Sequence, residues 1–257
     1  MSYLRFKIVN THATVPLALD YSAAGLIQSL AIYHGSNLLE QINEYNALYH
    51  LFLDLQGSTE TVTRAGSILL GTHATNLRTG VTVAANNGEA YVCIPIMSGI
   101  VGPLQSKYLP TGVMTGGDLR LELTLASTEM GVVASAGSTW EVRDVEVELE
   151  YVEVSSEVDR MIQASNPRYV ISFESFANYT NSITTSEGQI NKLIPARFSS
   201  LKTLYTIFRR TADITSLPAA SVTARVNPTI RNWSTRSAAR TSPPPPSAKT
   251  SNPLPNS

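Results

Sequence analysis

A single cysteine, Cys93, occurs among the 257 residues, so no disulfide can form within the chain and no thiolate metal cluster can assemble. Charged residues make up only 15% of the chain, against about a quarter in an average soluble domain. The formal net charge is −1, which disfavours a broad basic face of the kind that displaces counterions from nucleic acid. Long apolar runs are missing too. None approaches the roughly 20 residues that cross a bilayer, and the polar start Met1-Ser2-Tyr3-Leu4-Arg5 lacks a signal-peptide pattern. A soluble protein is expected.

Catalytic signatures are equally scarce. The chain contains no Gly-x-Gly-x-x-Gly, no Gly-x-x-x-x-Gly-Lys, no Gly-x-Ser-x-Gly elbow and no His-Glu-x-x-His. The histidines His12, His34, His50 and His73 match no short-range metal-ligand spacing, so they read as loop or helix-face residues and no metal or cofactor is expected. Glu146 and Glu148 share a strand face, as the carboxylates of a glycosidase can, but on a regular strand they read as a solvated row. Asn178-Tyr179-Thr180 and Asn232-Trp233-Ser234 satisfy the glycosylation pattern and, with no signal peptide, read as chance matches. Cys93, within Tyr91-Val92-Cys93-Ile94, is expected as a small core residue rather than a nucleophile.

What the chain does have is apolar material, 43% of it, arranged mostly with period two. Leu119-Arg120-Leu121-Glu122-Leu123-Thr124-Leu125 places leucine at every odd position, the mark of a strand with one buried face. Val145-Glu146-Val147-Glu148-Leu149-Glu150-Tyr151 repeats the pattern, with its odd positions expected in the core and its three glutamates in solvent. Trp140 and Val142 fall on even positions, so the phase slips near Arg143-Asp144, as a β-bulge produces. Further strands are expected at Tyr3–Val9, Leu26–Tyr33, Ala90–Ile96, Tyr169–Phe173 and Leu201–Phe208.

Two segments follow helical spacing. Between Leu38 and Leu55 the residues Leu39, Ile42, Tyr45, Leu48, Tyr49, Phe52 and Leu55 recur at intervals of three and four. Gly35-Ser36-Asn37 offers a turn with N-caps and Gln56-Gly57 a stop. A shorter helix starts at Ser155-Ser156-Glu157-Val158-Asp159, its carboxylates suiting the positive helix end, and stops at Asn166-Pro167. Neither helix alternates with strands in a βαβ rhythm, which favours an antiparallel sandwich with helical insertions over an α/β fold.

Charge divides unevenly along the chain. Residues 1–210 carry 14 Lys and Arg against 19 Asp and Glu, a balance of −5, whereas 211–257 carry 5 against 1, a balance of +4. The second stretch is rich in Ser, Ala, Thr and Pro and contains Pro243-Pro244-Pro245-Pro246. With few large apolar residues to offset its ordering entropy it is expected to be a disordered basic tail. Such a tail suits weak contact with nucleic acid; a solvated extension with no fixed partner is the simpler expectation.

The order Leu26-Ile27-Gln28-Ser29-Leu30-Ala31-Ile32, Gly35-Ser36, Leu39-Glu40-Gln41-Ile42-Asn43-Glu44-Tyr45-Asn46-Ala47-Leu48 and Phe52-Leu53-Asp54-Leu55 resembles viral major capsid proteins of the double jelly-roll type. In that family a strand, a Gly-containing turn and a helix with an Ile-x-x-Tyr-Asn core follow one another in the first roll. Further matches are Pro103-Leu104, Asp118–Leu125, Trp140–Tyr151 running into Val158-Asp159-Arg160-Met161-Ile162, and Ile194-Pro195-Ala196-Arg197-Phe198 through Phe208. Together they span about residues 20–210.

The resemblance implies a structural subunit of a DNA-virus capsid, located in the virion, non-enzymatic, and assembling as a homotrimer that tiles against neighbouring capsomers. Interfaces of that kind commonly bury more than about 2,000 Å². Two readings are open for the helix face at Ile42, Tyr45, Tyr49 and Phe52: it packs on a neighbouring subunit, or it covers the end of its own sandwich. Two complete rolls need more than the roughly 200 patterned residues here. The chain is therefore expected to be a truncated or frame-altered relative, or a shorter one with a single roll and an extra sheet. The expected fold is all-β with helical insertions, an antiparallel jelly-roll β-sandwich of one roll plus the opening strands of a second. Residues 1–155 form the sandwich with its helical insertion near 38–55, 156–167 a short helix and linker, 168–210 the opening strands, and 211–257 the tail. A carbohydrate- or receptor-binding jelly-roll module of the virion-fibre or lectin type is the alternative, since such sandwiches host many functions.

Overall fold

The computed structural model describes residues 2–62, 69–72, 80–103, 107–114, 116–127, 139–165, 170–184, 189–196, 198, 200–211, 225–227 and 230. These residues form a mostly antiparallel β protein. Strand β1 (Tyr3–Asn10) is the centre of one sheet, flanked by β6 (Glu89–Pro95) and β8 (Trp140–Glu148). Strand β3 (Ile27–His34) is the centre of a second, flanked by β4 (Asn37–Asn43) and β7 (Leu119–Leu125). A two-residue pair, β2 (Leu17–Ala18) with β5 (Thr82–Val83), lies beside them. Both sheets contribute to one core: Leu4, Phe6 and Ile8 from β1, Val92 and Ile94 from β6, Leu30 and Ile32 from β3, and Ile42 from β4. Each such side chain taken fully out of water contributes roughly 1.5–3 kcal/mol, and the arrangement is sandwich-like.

Alternation explains the two centre strands. In β1 the even positions Leu4, Phe6 and Ile8 are buried, while Arg5 and Lys7 lie on the other face, where Arg5 bridges Glu146 and Glu148, and Lys7 bridges Glu89 and Asp144. Lys7 also sits 4.9 Å from the centroid of the Tyr91 ring. The expected bulge is present. Arg5 pairs with Glu146 but Lys7 pairs with Arg143, so two residues of β8 face one of β1, and the extra residue, Asp144, takes φ +50°.

Several expectations are corrected. The helix over 38–55 begins only at Tyr45: α1 spans Tyr45–Gln56, and Leu39 and Ile42 belong to β4. Gly35-Ser36 is the turn of the β3–β4 hairpin, with His34 opposite Asn37, rather than a helix cap. Gly35 has φ +58°, and a Cβ there would stand 2.5 Å from the Gly116 carbonyl oxygen, so only glycine suits the turn. The period of β4 was hidden because its buried positions are only Glu40 and Ile42, and a buried carboxylate breaks the apolar alternation. Leu39 is an extra residue as well, since Ile32 pairs with Glu40 and Tyr33 with Leu38. The expected stop at Gln56-Gly57 holds, the Gly57 N–H donating to the Leu53 carbonyl.

The strand over 145–151 ends at Glu148, and its odd positions are not buried: Val145 is 53% exposed and Val147 40%. This end of β8 is left largely open to solvent. In β7 the odd leucines Leu119, Leu121 and Leu123 are half-buried against the core, as are Trp140 and Val142. Over their described residues Tyr169–Phe173 and Leu201–Phe208 form no strand ladder, only a single-residue bridge at Phe173, so the strands expected there as the opening of a second sheet are not formed among the described residues. Cys93 lies on the outer face of β6, opposite Arg5 and half-buried. A one-turn helix α2 (Thr59–Val62) and the exposed helix α3 (Ser156–Ser165) complete the elements; Leu104, Asn166, Pro167, Arg197 and most of the tail lie outside the described residues.

Candidate functional site

The residues singled out by helical spacing gather on the β4–α1 side of the sandwich. Ile42, Tyr45 and Tyr49 are all buried within the chain, so this helix face covers its own core. Tyr45 and Tyr49 stack at a tilt with centroids 5.9 Å apart, and the Met97 N–H donates to the Tyr45 hydroxyl at 2.8 Å. Burial pushes both phenols well above their ordinary range. Phe52, one turn further along, is half-exposed and lies under two rings from distant sequence, Phe176 at 5.3 Å and Tyr205 at 5.8 Å, each edge to face.

Two polar nodes anchor that surface. Glu40 is buried, and its carboxylate accepts hydrogen bonds from the Ser98 hydroxyl, the Gly99 N–H and the Ser175 hydroxyl. Ser98 in turn accepts from the Ile100 and Val101 N–H groups. A buried charge is tolerable only with such a complement of donors. The second node is His50, fully buried on the inner face of α1. The Ser22 hydroxyl meets its Nε2 at 2.8 Å, and the Tyr21 ring stacks on it at 5.2 Å. Burial, and secondarily the charge of Arg225, pushes the imidazole down to about 3, so it is neutral at ordinary pH.

The Ser22–His50 contact is the first link of a nucleophile and its base. The orienting third group is missing among the described residues, because His50 Nδ1 has no hydrogen-bond partner, and both side chains are fully buried. The pair therefore fastens α1 to the turn at Ser22–Leu26. His12 accepts the Thr14 and Val15 N–H groups in a loop, as expected. His34 ends β3 instead of lying in a loop or on a helix, and His73 is outside the described residues. No group of three or more His, Cys, Asp or Glu among the described residues has metal-binding geometry. Glu146 and Glu148 are a solvated row clamped by Arg5. Burial, then the Glu148 charge, raises the Cys93 thiol, the opposite of what a nucleophile needs.

An apolar groove of about 190 Å³ runs along the C-terminal half of α1, between Tyr49, Phe52 and Leu53 on one wall and Pro95, Ile96 and Met97 on the other. It lacks the convergent polar groups that orient a small substrate. Sequence reasoning found the aromatic face but missed Ser22, Glu40 and Ser175, whose partners lie 28, 58 and 135 residues away. The one local signal was Glu40 itself, a carboxylate set inside an otherwise apolar run. No known protein family and no curated protein matches the chain. No helix of the described residues is long and apolar enough to cross a membrane.

Proposed function

We propose that the chain is a non-enzymatic structural subunit of a DNA-virus capsid, a jelly-roll β-sandwich that assembles into trimeric capsomers. The observation that supports this reading is the nesting of two of its strand pairs. The first strand pairs with the last, β1 with β8, and inside that pair β3 pairs with β7 in the other sheet. Nested antiparallel pairs that alternate between two sheets are what a rolled hairpin ribbon produces. The order of motifs in the sequence points the same way, and the aromatic and acidic side of α1 is built for packing rather than for chemistry.

Surface left over by the fold supports assembly. Val145 and Val147 on the edge strand β8, then Leu149, Tyr151, Val152 and Val154, are all exposed. A run of this kind marks an interaction surface more often than a bare monomer face. The capsid reading is tested by the molar mass of the purified full-length chain by light scattering, with electron microscopy of the same fractions. Trimers or hexagonal tiles are expected. A monomer at all concentrations that binds glycans saturably on an array would replace this reading with that of a carbohydrate- or receptor-binding module.

A further inference from the structure

Tyr21 holds a backbone angle that its side chain does not favour. Its φ is +73°, and the Ser22 N–H donates across it to the Asp20 carbonyl at 3.0 Å, which closes a γ-turn of the rare, strained kind. Asn86, Asn87 and Asp144 also have positive φ, but short polar side chains tolerate that region and a bulky ring does not. The surroundings impose the turn: Tyr21 and Ser22 are both buried, and the Tyr21 ring lies on the His50 ring at 5.2 Å and 25°. Backbone strain that is held in this way gathers at functional sites.

Ser22 follows directly. It occupies the N-cap of the 3-10 turn Ala23–Leu26, where a serine hydroxyl ordinarily accepts from the N–H groups of the turn. Here it makes no cap bond and meets His50 Nε2 at 2.8 Å instead. Burial keeps the imidazole unprotonated at ordinary pH, free to take the hydroxyl proton, and the stacked Tyr21 ring fixes its plane in place of an orienting carboxylate. Burial shuts out a foreign substrate, but not the carbonyl already attached to the Ser22 nitrogen. We propose that the Tyr21–Ser22 peptide bond is a self-cleavage site, at which the Ser22 hydroxyl attacks the Tyr21 carbonyl with His50 as base. Ser22 Oγ bonds to the Tyr21 carbonyl carbon as its proton passes to His50 Nε2. The C–N bond then breaks as that proton passes to the Ser22 nitrogen, leaving an ester and a free amine. Water hydrolyses the ester, which gives the Tyr21 carboxylate and restores the Ser22 hydroxyl. Opening the turn releases the strain at Tyr21, and this favours the ester over the amide. The reaction runs once per chain and does not depend on the capsid reading, since it needs only this turn and its histidine.

β1 pairs along its length with both β6 and β8, so the piece ending at Tyr21 stays bound after cleavage and the break shows only on denaturation. The test is the mass of the full-length chain under denaturing conditions, freshly purified and after several days at neutral pH. A piece ending at Tyr21 and a second piece whose sequence begins Ser22-Ala23-Ala24 are expected, with the native mass unchanged. Ser22→Ala should abolish the break, and His50→Gln should slow it about a hundredfold. Tyr21→Gly adopts a positive φ without strain and should also slow it, although the hydroxyl and the imidazole remain. Ser22→Cys covers the case in which Ser22→Ala fails to fold by circular dichroism: its thiol makes the same shift to a thioester, so added dithiothreitol should speed the release of both pieces. A wild-type chain that stays whole, a break between residues 21 and 22 that persists in folded Ser22→Ala, or a Ser22→Cys chain left intact by dithiothreitol would overturn the inference.

Discussion

Residues 2–126 and residues 139–230 differ in how they are held. Every buried residue among those described lies in the first region, the last being Ala126; none in the second is buried. The first region has strand ladders, a turn that only glycine fits, and two buried polar nodes. The second supplies one edge strand, a solvated helix and a set of point contacts. Apolar content does not separate them, since the second region contains Val145, Val147, Met161, Leu193 and Leu201, all exposed. What separates them is whether a facing surface exists among the described residues. The first region holds the buried core, against which only Trp140, Val142 and Phe176 of the second region pack, whereas the large apolar side chains named above stay exposed among the described residues.

The comparison is broken most directly from the core side. Ile32→Ala removes a fully buried side chain from the centre strand of the second sheet and is expected to cost about 2–5 kcal/mol in chemical denaturation. Acid attacks the same region through His50. In the unfolded chain an imidazole binds a proton near 6.5, whereas the folded protein holds His50 down to about 3. The unfolded state therefore binds more protons between those values, and stability falls as pH falls through that window. A loss of about 2 kcal/mol between pH 7 and pH 5 follows from the linkage relation, and it should be absent in His50→Gln. Equal pH slopes for the two proteins would remove His50 from the account of acid sensitivity.

Where the sequence could be read, one strand supplied both the period and the facing surface. β1 and β7 follow their alternation, and the slip at Arg143-Asp144 is the bulge at Asp144. The reading failed at β4 because Glu40 occupies an inward position, satisfied by Ser98, Gly99 and Ser175. No local pattern announces partners so far along the chain. Without them a carboxylate at that position reads as the polar side of a helix. Val145 and Val147 failed differently. Their alternation correctly gives a strand, but alternation says which residues share a face and not whether anything lies on it. Tyr169–Phe173 and Leu201–Phe208 have strand composition but, beyond a single bridge at Phe173, no neighbouring ladder among the described residues, and propensity for the strand state depends on such neighbours.

Smaller effects are expected from the second region. Truncation after Arg210 removes the Arg225–Asp54 pair and the bond from the Val226 N–H to the Phe208 carbonyl. It should lower stability by about 1 kcal/mol and leave the circular dichroism spectrum of the sheets unchanged. A large loss would show that residues beyond Arg210 are part of the core. Arg209→Ala removes one partly exposed pair with Glu44, so less than about 1 kcal/mol is expected.

The smallest effect on stability, and the sharpest contrast with Ile32→Ala, should come from Leu193→Ala. Leu193 is 83% exposed, so its side chain is nearly as wet in the folded chain as in the unfolded one, and the change should lie within about 0.5 kcal/mol. Association is a separate measurement. If the exposed apolar side chains of the second region are covered only between copies, Leu193 gains its burial at that step, and Leu193→Ala should raise the concentration at which copies associate in sedimentation velocity while denaturation curves stay superimposed. A stability loss comparable with that of Ile32→Ala would mean instead that the second region closes a core of its own, and the distinction between a self-covered and a partner-covered half would fail.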